Sequence, residues 1–376
     1  MKTYGPVRME SFRLLCYRRK AEEGCDDTLP RRPSVEVSLM NICFALGSLR
    51  GLLLHHHPGR ARAFARLVSG AVRTWLCLSV LAVVSVAAGA ETPVNFKIAF
   101  IGDQGLGSNS VAVLRLIKAE GAHAVMHLGD FDYKDDPTAW ERQHNDVLGP
   151  DFPLFACMGN HDRKAWKGEK GYQWYLHERL KRVGVKWNGD FGTKCSFSYK
   201  GIFFVLAAPN LSGWGHAKYI RQQLAADKSL WRICCWHENQ REMQVGAKED
   251  ETGWGVYEEA RKGGAIIATA HCHSYCRTHL LSNCEKQTVA SRSDKLTLTK
   301  GMTFAFVSGL GGARPKRQEQ TGDWFAKIYT PNQGAMPGAL FATFNVDGAP
   351  DRALFYFKNM NGEVIDRFEV TSRIRH

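Results

Sequence analysis

The chain is 376 residues long, 44% of them hydrophobic, and its formal net charge is +13. This length and apolar content are enough to bury a large core, which excludes an intrinsically disordered chain as the starting interpretation. Residues 1–90 carry more than half of the excess charge, with 13 Lys and Arg against 6 Asp and Glu. No basic stretch with interleaved aromatic residues accompanies it, so no nucleic-acid partner is expected.

The N-terminal quarter of the chain divides into two segments. Residues 1–73 mix charge, Gly and Pro without a lasting periodicity, and we interpret them as a basic, low-order extension that is untranslated if a later methionine starts the protein. Residues 74–90 contain an uncharged apolar stretch that follows several arginines and ends in Ala-Gly-Ala, which is typical of a signal peptide. The sequence therefore predicts a secreted or lumenal protein of the secretory pathway. The alternative is an uncleaved type II anchor, and only then is a membrane expected as a partner.

From residue 91 onward, apolar runs alternate with amphipathic stretches, which indicates one α/β domain over residues 91–376. Strands and helices are predicted in chain order at 96–101, 111–119, 124–128, 139–148, 154–158 and 172–183. Two strands at 196–199 and 202–206 flank Lys200 and Gly201 as in a hairpin. Further elements follow at 216–228, 233–236, 256–262 and 265–270. A β-rich tail covers 302–307, 339–346, 353–357 and 364–370.

Five short polar motifs stand where predicted strands end. They are Gly102-Asp103-Gln104-Gly105, Gly129-Asp130-Phe131-Asp132-Tyr133, Gly159-Asn160-His161-Asp162, His237, and Ala270-His271-Cys272-His273. Ligands gather at the carboxyl ends of the strands in open α/β sheets, so motifs far apart along the chain can meet in one cleft.

The residue types in these motifs suit the hydrolysis of a phosphate ester. This reaction needs a nucleophilic hydroxide and relief of the negative charge on the phosphoryl oxygens, and two metal ions about 4 Å apart provide both. One carboxylate must bridge the two ions, and Asp130 is the candidate. Hard oxygen ligands such as Asp103 suit a trivalent or hard divalent ion, while imidazole suits zinc, iron and similar metals.

The motif order DxG, GDxxY, GNH(D/E), a lone His and then a GHxH-like stretch resembles the calcineurin-like metallophosphoesterases, and within them the tartrate-resistant-like branch of the purple acid phosphatases. The resemblance covers roughly residues 97–370. It implies a mixed α/β fold, a four-layer α-β-β-α sandwich of two mixed sheets flanked by helices. It also implies two metal sites. The first has the ligands Asp103, Asp130, Tyr133 and His273, and the second has Asp130, Asn160, His237 and His271.

One exchange of residues is specific to the purple branch. Most of the superfamily has His at the third position of the first motif, whereas this chain has Gly105, and Tyr133 stands where a phenolate can replace the missing ligand. The resemblance implies Fe(3+) at the Tyr133 site and Fe(2+), Zn(2+) or Mn(2+) at the second. His237 is the least secure ligand, because His216 is a rival for the lone histidine.

The predicted function is a dinuclear-metal acid phosphatase that hydrolyses small phosphate monoesters by attack of a metal-bound hydroxide on phosphorus. His161, held by Asp162 or another carboxylate, is expected to protonate the leaving group. Asn160 and Arg277 are candidates for binding the substrate phosphate. The alternatives are a phosphodiesterase or nucleotide-hydrolysing relative, and a non-catalytic secreted binding protein on the same fold.

Two further predictions follow from a secretory location. Seven cysteines lie between Cys157 and Cys284, and in an oxidising compartment some of them are expected to form disulfides. Asn210 begins an Asn-Leu-Ser triplet and is a glycosylation candidate. The sequence does not indicate an oligomeric state.

Overall fold

The computed structural model describes residues 91–375. The extension 1–73 and the predicted signal segment 74–90 lie outside the described residues. Within residues 91–375, no helix has the length and apolar character needed to cross a membrane.

The first of two large sheets contains seven strands in the order β12, β17, β16, β15, β1, β2, β3. Their bounds are β1 Phe96–Ile101, β2 Ala124–His127, β3 Leu154–Ala156, β12 Lys295–Leu298, β15 Gly338–Val346, β16 Ala349–Asn359 and β17 Val364–Ser372. The strands β1, β2 and β3 are mutually parallel, whereas β15, β16 and β17 pair antiparallel, so the sheet is mixed. The parallel half carries the first three polar motifs.

The second sheet contains eight strands in the order β14, β9, β13, β8, β7, β6, β5, β4. Their bounds are β4 Asn188–Asp190, β5 Lys194–Tyr199, β6 Ile202–Ala207, β7 Trp231–Cys235, β8 Ile266–Thr269, β9 Tyr275–Thr278, β13 Ala305–Ser308 and β14 Phe325–Tyr329. The strands β6, β7, β8 and β13 are parallel, and antiparallel strands flank them. A small two-stranded sheet joins β10 Leu280–Asn283 to β11 Thr288–Ser291.

Within residues 91–375, five α-helices cover the outer faces of the two sheets. They are α1 Ser108–Ala119, α2 Pro137–Val147, α3 Tyr172–Arg182, α4 His216–Ala226 and α5 Gly255–Lys262. The helices α1, α2 and α3 contact one another or the first sheet, while α4 and α5 contact the second sheet. Asp136 shows how such a helix begins, because its side chain accepts a hydrogen bond from the Ala139 amide at 2.9 Å and Pro137 occupies the first turn of α2.

The inner faces of the two sheets pack directly on each other. Phe100 of β1 lies 5.3 Å from Phe306 of β13 between ring centroids, and Trp231 of β7 lies 5.1 Å from Phe344 of β15. Buried aromatic area of this kind contributes much of the stabilisation of a sheet sandwich. The layers are therefore helix, sheet, sheet, helix, and the expected four-layer α/β fold is confirmed.

The sequence predicted the long apolar strands but missed several short ones. The hairpin at Lys200 and Gly201 forms as expected, with positive φ angles of 49° and 78°. The missed strands are β4, β9, β10, β11, β12 and β14. Most of these have polar or charged residues among three to five positions, and their hydrogen-bond partners come from other strands, so no local apolar run marks them.

Candidate metal centre

The polar motifs meet at one end of the sandwich because each follows a strand of the parallel half of its sheet. Asp103 follows β1, Asp130 follows β2 and Asn160 follows β3 of the first sheet. His237 follows β7, and His271 and His273 follow β8 of the second sheet. The carboxyl ends of both sheets therefore supply the site.

Several of these residues have a left-handed backbone conformation. The φ angle is 56° at Asp103, 59° at Asp130, 59° at Tyr133 and 65° at His271. Sparsely populated backbone conformations of this kind cost on the order of 1–3 kcal/mol each and persist only where surrounding contacts enforce them. Here the Asp103 amide donates to the Gly129 carbonyl at 3.0 Å, which joins the first two motif loops.

The first cluster of donors consists of Asp103, Tyr133 and His273. The Tyr133 hydroxyl lies 3.1 Å from Asp103 Oδ1 and 3.1 Å from His273 Nε2. His273 Nε2 is also 3.6 Å from the same carboxylate oxygen. Three residues from three different motifs therefore direct one donor atom each at a common point.

The second cluster consists of Asp130, Asn160, His237 and His271. His237 Nε2 lies 3.2 Å from Asp130 Oδ1, 3.2 Å from Asn160 Oδ1 and 3.0 Å from His271 Nδ1. Asp130, His237 and His271 are buried, and their ligand atoms lie within 4.8 Å of one another. His216 lies elsewhere, with its Nε2 bonded to the Ser212 carbonyl. His237, and not His216, therefore occupies the position of the single-histidine motif in this cluster.

The Asp130 carboxylate interacts electrostatically with both clusters. Burial would raise the pKa of Asp130, but the neighbouring His237 holds it well below its usual range. Burial and the carboxylates of Asp103 and Asp130 raise the pKa of the Tyr133 phenol, whereas a bound cation has the opposite effect on a coordinating phenol. The Asp130 carboxylate therefore lies among the ligand atoms of the second cluster and acts electrostatically on Tyr133 of the first.

The orientation of His237 and His273 fits metal ligation. In each ring, one nitrogen lies within hydrogen-bond distance of an acceptor outside the clusters: His237 Nδ1 is 2.8 Å from the Leu128 carbonyl, and His273 Nδ1 is 3.0 Å from the Arg314 carbonyl. A carbonyl can only accept, so these nitrogens carry a proton, and the other nitrogen of each ring faces the donor cluster, where it can bind a metal ion once it is deprotonated.

An unpartnered oxygen supports the same interpretation. Asp103 is fully buried, and its Oδ2 has no hydrogen-bond partner among the described residues. A buried carboxylate oxygen left without a donor is costly unless a cation satisfies it. The carboxylate, phenol, amide and imidazole donors of the two clusters therefore fit a pair of hard to borderline metal ions.

The structure changes the role expected for Asp162. Its carboxylate is buried and accepts hydrogen bonds from the backbone amides of Gly159, Asp130 and Phe131 at 2.7, 2.9 and 2.8 Å. Asp162 therefore holds the second and third motif loops together and does not orient the His161 imidazole. Burial and the nearby Asp130 carboxylate raise the pKa of Asp162.

His161 lies at the exposed side of the centre. Its amide donates to Asp130 Oδ1 at 3.0 Å, and its ring lies 4.8 Å from the Tyr133 ring. Its side chain is exposed beside Tyr133 and is not among the ligand atoms of the two clusters.

Sequence reasoning missed Glu251. Its carboxylate lies 2.9 Å from His271 Nε2, the nitrogen of that ring that faces away from His237. Glu251 lies in the loop between β7 and α5, well after His237 and outside any recognisable motif, so no sequence signal could have found it.

The sequence profile of the calcineurin-like phosphoesterase family matches residues 96–275, a span that includes all seven predicted metal ligands. The chain contains a calcineurin-like phosphoesterase domain. No curated protein sequence gives a significant match.

Solved structures similar to this phosphoesterase domain include a purple acid phosphatase from yellow lupin (Lupinus luteus) seeds, with a TM-score of 0.55 and 17% identity. The alignment covers 75% of this chain and 54% of the lupin protein, so the chain spans about half the length of that relative. A second is GAP50, described as the anchor in the inner membrane complex of Plasmodium, with a TM-score of 0.49, 12% identity, and coverage of 74% and 91%. At these identities the likeness shows the fold alone.

Arg277 is not placed to bind phosphate. It is 1% exposed, and its guanidinium donates to Asp366 at 2.7 Å and to Asp294 at 2.9 Å. The strand β9 places Arg277 between the two sheets, where it neutralises buried carboxylate charge. The expectation that Arg277 contacts the substrate is therefore wrong.

Two expectations tied to secretion are also affected. All seven cysteines in the described part of the domain are buried and free, so the expected disulfides are not present there. Cys234 and Cys235 lie on the buried strand β7 and pack in the core. The Asn210 side-chain nitrogen, which a glycan would occupy, donates to Glu238 at 2.9 Å.

Proposed function

We propose that the protein is a dinuclear-metal acid phosphatase of the purple type that hydrolyses phosphate monoesters. One observation carries this proposal: the Tyr133 hydroxyl lies 3.1 Å from both Asp103 Oδ1 and His273 Nε2. A Cβ atom at Gly105 would lie 4.0 Å from the Tyr133 ring. The position where most of the superfamily has a histidine ligand is therefore next to Tyr133, whose phenol would take the place of that ligand.

The two clusters define which residues would hold the metals. Asp103, Asp130, Tyr133 and His273 suit Fe(3+), because a phenolate and two carboxylates are hard anionic ligands. The pair Asn160 and His237, with His271 and the shared Asp130, suits Fe(2+), Zn(2+) or Mn(2+). When bound, two such ions supply a nucleophilic hydroxide at moderate pH and neutralise charge on the phosphoryl oxygens.

The protein groups around the clusters divide the remaining tasks. His161 has an exposed imidazole whose backbone is anchored to Asp130, so it can donate a proton to the departing alkoxide. Asn160 lies in the second cluster and can also contact a phosphoryl oxygen. Asp162 preserves the loop geometry through its three backbone hydrogen bonds.

The substrate class and the location are part of the proposal. The open centre and its ligand set favour small phosphorylated molecules, and no nucleic-acid partner is expected. The secretory location rests on residues 74–90 of the sequence. N-terminal sequencing of protein recovered from the culture medium tests it, and a mature protein that begins near residue 91 is expected.

The function is tested on purified protein by metal analysis, a visible absorption spectrum, and hydrolysis of p-nitrophenyl phosphate against pH. Two metal ions per chain, a tyrosinate-to-iron absorption band and activity at acid pH are expected. Tyr133→Phe should lose the absorption band. An active but colourless and iron-free protein would contradict the purple type and leave the phosphoesterase standing. Faster hydrolysis of bis(p-nitrophenyl) phosphate than of the monoester would favour a phosphodiesterase.

Asp130→Asn tests the shared ligand directly. This variant should lose metal binding and turnover together, because both clusters lose the same carboxylate. The exposed Asp146→Asn on α2 removes the same charge outside the site and should retain both. Full activity in Asp130→Asn would end the assignment of the dinuclear centre.

A further inference from the structure

A cavity of about 720 Å³ opens beside the first donor cluster. It is lined by residues 246–248, Cys272, His273, the segment 314–317 and Glu319. Cavities of roughly 300–1,000 Å³ are the usual size of small-molecule sites. Since His273 also belongs to the first cluster, a ligand in this cavity lies next to the proposed reaction centre.

The cavity has a strongly basic wall. Lys248, Arg314, Lys316 and Arg317 line it, with Glu319 as the one acidic side chain among the lining residues. Within residues 91–375, none of the four cations forms a salt bridge with a carboxylate. Salt bridges pair many of the other lysines and arginines in residues 91–375, whereas Arg314, Lys316 and Arg317 form none, so the cavity carries an excess of positive charge beside the centre.

The backbone of the basic wall is fixed to the metal-ligand loops. The Ala313 amide donates to the Asp103 carbonyl at 2.9 Å, and the Lys316 amide donates to the His273 carbonyl at 2.9 Å. The Arg314 carbonyl accepts from His273 Nδ1 at 3.0 Å. The positions of the cationic residues are thus set relative to two of the ligands, which is what a preorganised anion site requires.

From this arrangement we infer that the basic wall is a second phosphate subsite, and that the preferred substrates are small molecules with two or more phosphate groups. One phosphate occupies the donor clusters while another contacts Arg314, Lys316 and Arg317. Guanidinium groups form strong paired hydrogen bonds with phosphate oxygens, and lysine adds point charge. The inference rests on the proposed phosphatase function and specifies its substrate class.

The test compares fructose 1,6-bisphosphate with fructose 6-phosphate, which differ by one phosphate. The triple variant Arg314→Gln, Lys316→Gln and Arg317→Gln removes the charges and leaves the backbone hydrogen bonds in place. The unaltered protein should have a higher kcat/KM for the bisphosphate than for the monophosphate. In the triple variant this ratio should fall about tenfold, because three exposed charge interactions are lost together. Its activity on p-nitrophenyl phosphate should change little.

A matched control removes the same number and kind of charges elsewhere. Arg115, Lys186 and Arg221 are exposed, form no salt bridge among the described residues, and do not line this cavity. Their replacement by Gln should leave the preference for the bisphosphate unchanged. An equal loss in the control would show a general effect of net charge and overturn the subsite.

Calorimetric binding of fructose 1,6-bisphosphate to the same proteins separates the two proposals. If no phosphate ester is hydrolysed, the proposed function fails, and binding alone then decides the subsite: saturable binding that is lost in the triple variant supports it. Equal binding to the unaltered and triple-variant proteins overturns it. A preference for an acidic phosphopeptide over fructose 1,6-bisphosphate that is lost in the triple variant would overturn the assignment to small molecules.

Discussion

The Glu251 carboxylate lies 2.9 Å from His271 Nε2, while His271 Nδ1 lies 3.0 Å from His237 Nε2. One nitrogen of the His271 ring therefore faces the Glu251 carboxylate, and the other nitrogen faces the second donor cluster. A carboxylate in this position fixes the orientation of a metal-binding imidazole and increases its basicity. Glu251 is thus placed to hold the His271 imidazole in its orientation toward the second cluster.

Glu251→Ala should weaken the binding of the second metal by about 10- to 100-fold, because His271 loses the partner that orients it. Glu251→Gln keeps an acceptor oxygen and should recover part of this loss. The neighbouring exposed Glu249→Gln serves as the control. Metal affinity is measured by titration of the metal-free protein, and equal affinity in Glu251→Ala and the unaltered protein would contradict the positioning role.

Gly159→Ala should disrupt the shared carboxylate by steric contact. A Cβ atom at Gly159 would lie 2.2 Å from Asp130 Oδ1 and 2.3 Å from the Asp130 amide nitrogen. The loop must therefore shift, and metal content and activity should fall together. Gly107→Ala meets no atom within 4 Å and should retain both. Metal analysis of the two purified variants is the measurement; a fully loaded Gly159→Ala protein would show that the loops adapt.

Arg277→Met should destabilise the fold by roughly 3–5 kcal/mol, because it leaves the buried Asp366 carboxylate without its charge partner. The matched change Arg292→Met breaks an exposed pair with Asp323 and should cost at most about 1 kcal/mol. Urea unfolding measures both. A stable Arg277→Met protein with a raised KM would instead restore the phosphate-binding role that the structure removes from this residue.

The stability of the domain should fall as the pH falls below about 6.5, the reference pKa of histidine. Burial lowers the pKa of His144 on α2 to about 3. Between these two values the unfolded chain binds a proton that the folded chain does not, so the free energy of unfolding decreases with falling pH by about 1.4 kcal/mol per pH unit for this group. Burial also lowers the pKa of His127, which adds to the effect.

His144→Leu should lower the number of protons taken up on unfolding by about one between pH 4 and pH 6. The free energy of unfolding should then depend less steeply on pH. The measurement is urea unfolding at several pH values within that window. The slope is the readout, because the substitution also changes packing and therefore the absolute stability. A slope equal to that of the unaltered protein would show that His144 is not a source of the acid sensitivity.

The candidate motif residues stand out in the sequence because their signal is local. Asp103, Asp130, Asn160 and His271 each follow an apolar run directly, and the carboxyl ends of parallel strands share one edge of a sheet. The exchange of a histidine ligand for Gly105 and Tyr133 could also be proposed from the sequence, since both residues lie within short motifs. The strand and helix alternation predicted the layered α/β fold for the same reason.

Only the tertiary structure decided which side chains face one another across long stretches of chain. Arg277 meets Asp366 from 89 residues away because β9 and β17 lie in opposing sheets. Glu251 reaches His271 from a position outside the motifs, and the basic wall lies beside His273 because its backbone bonds to two ligand loops. Hydrophobic periodicity and motif spacing describe neighbours along the chain, whereas these contacts depend on the packing of the two sheets and on the loops between their strands.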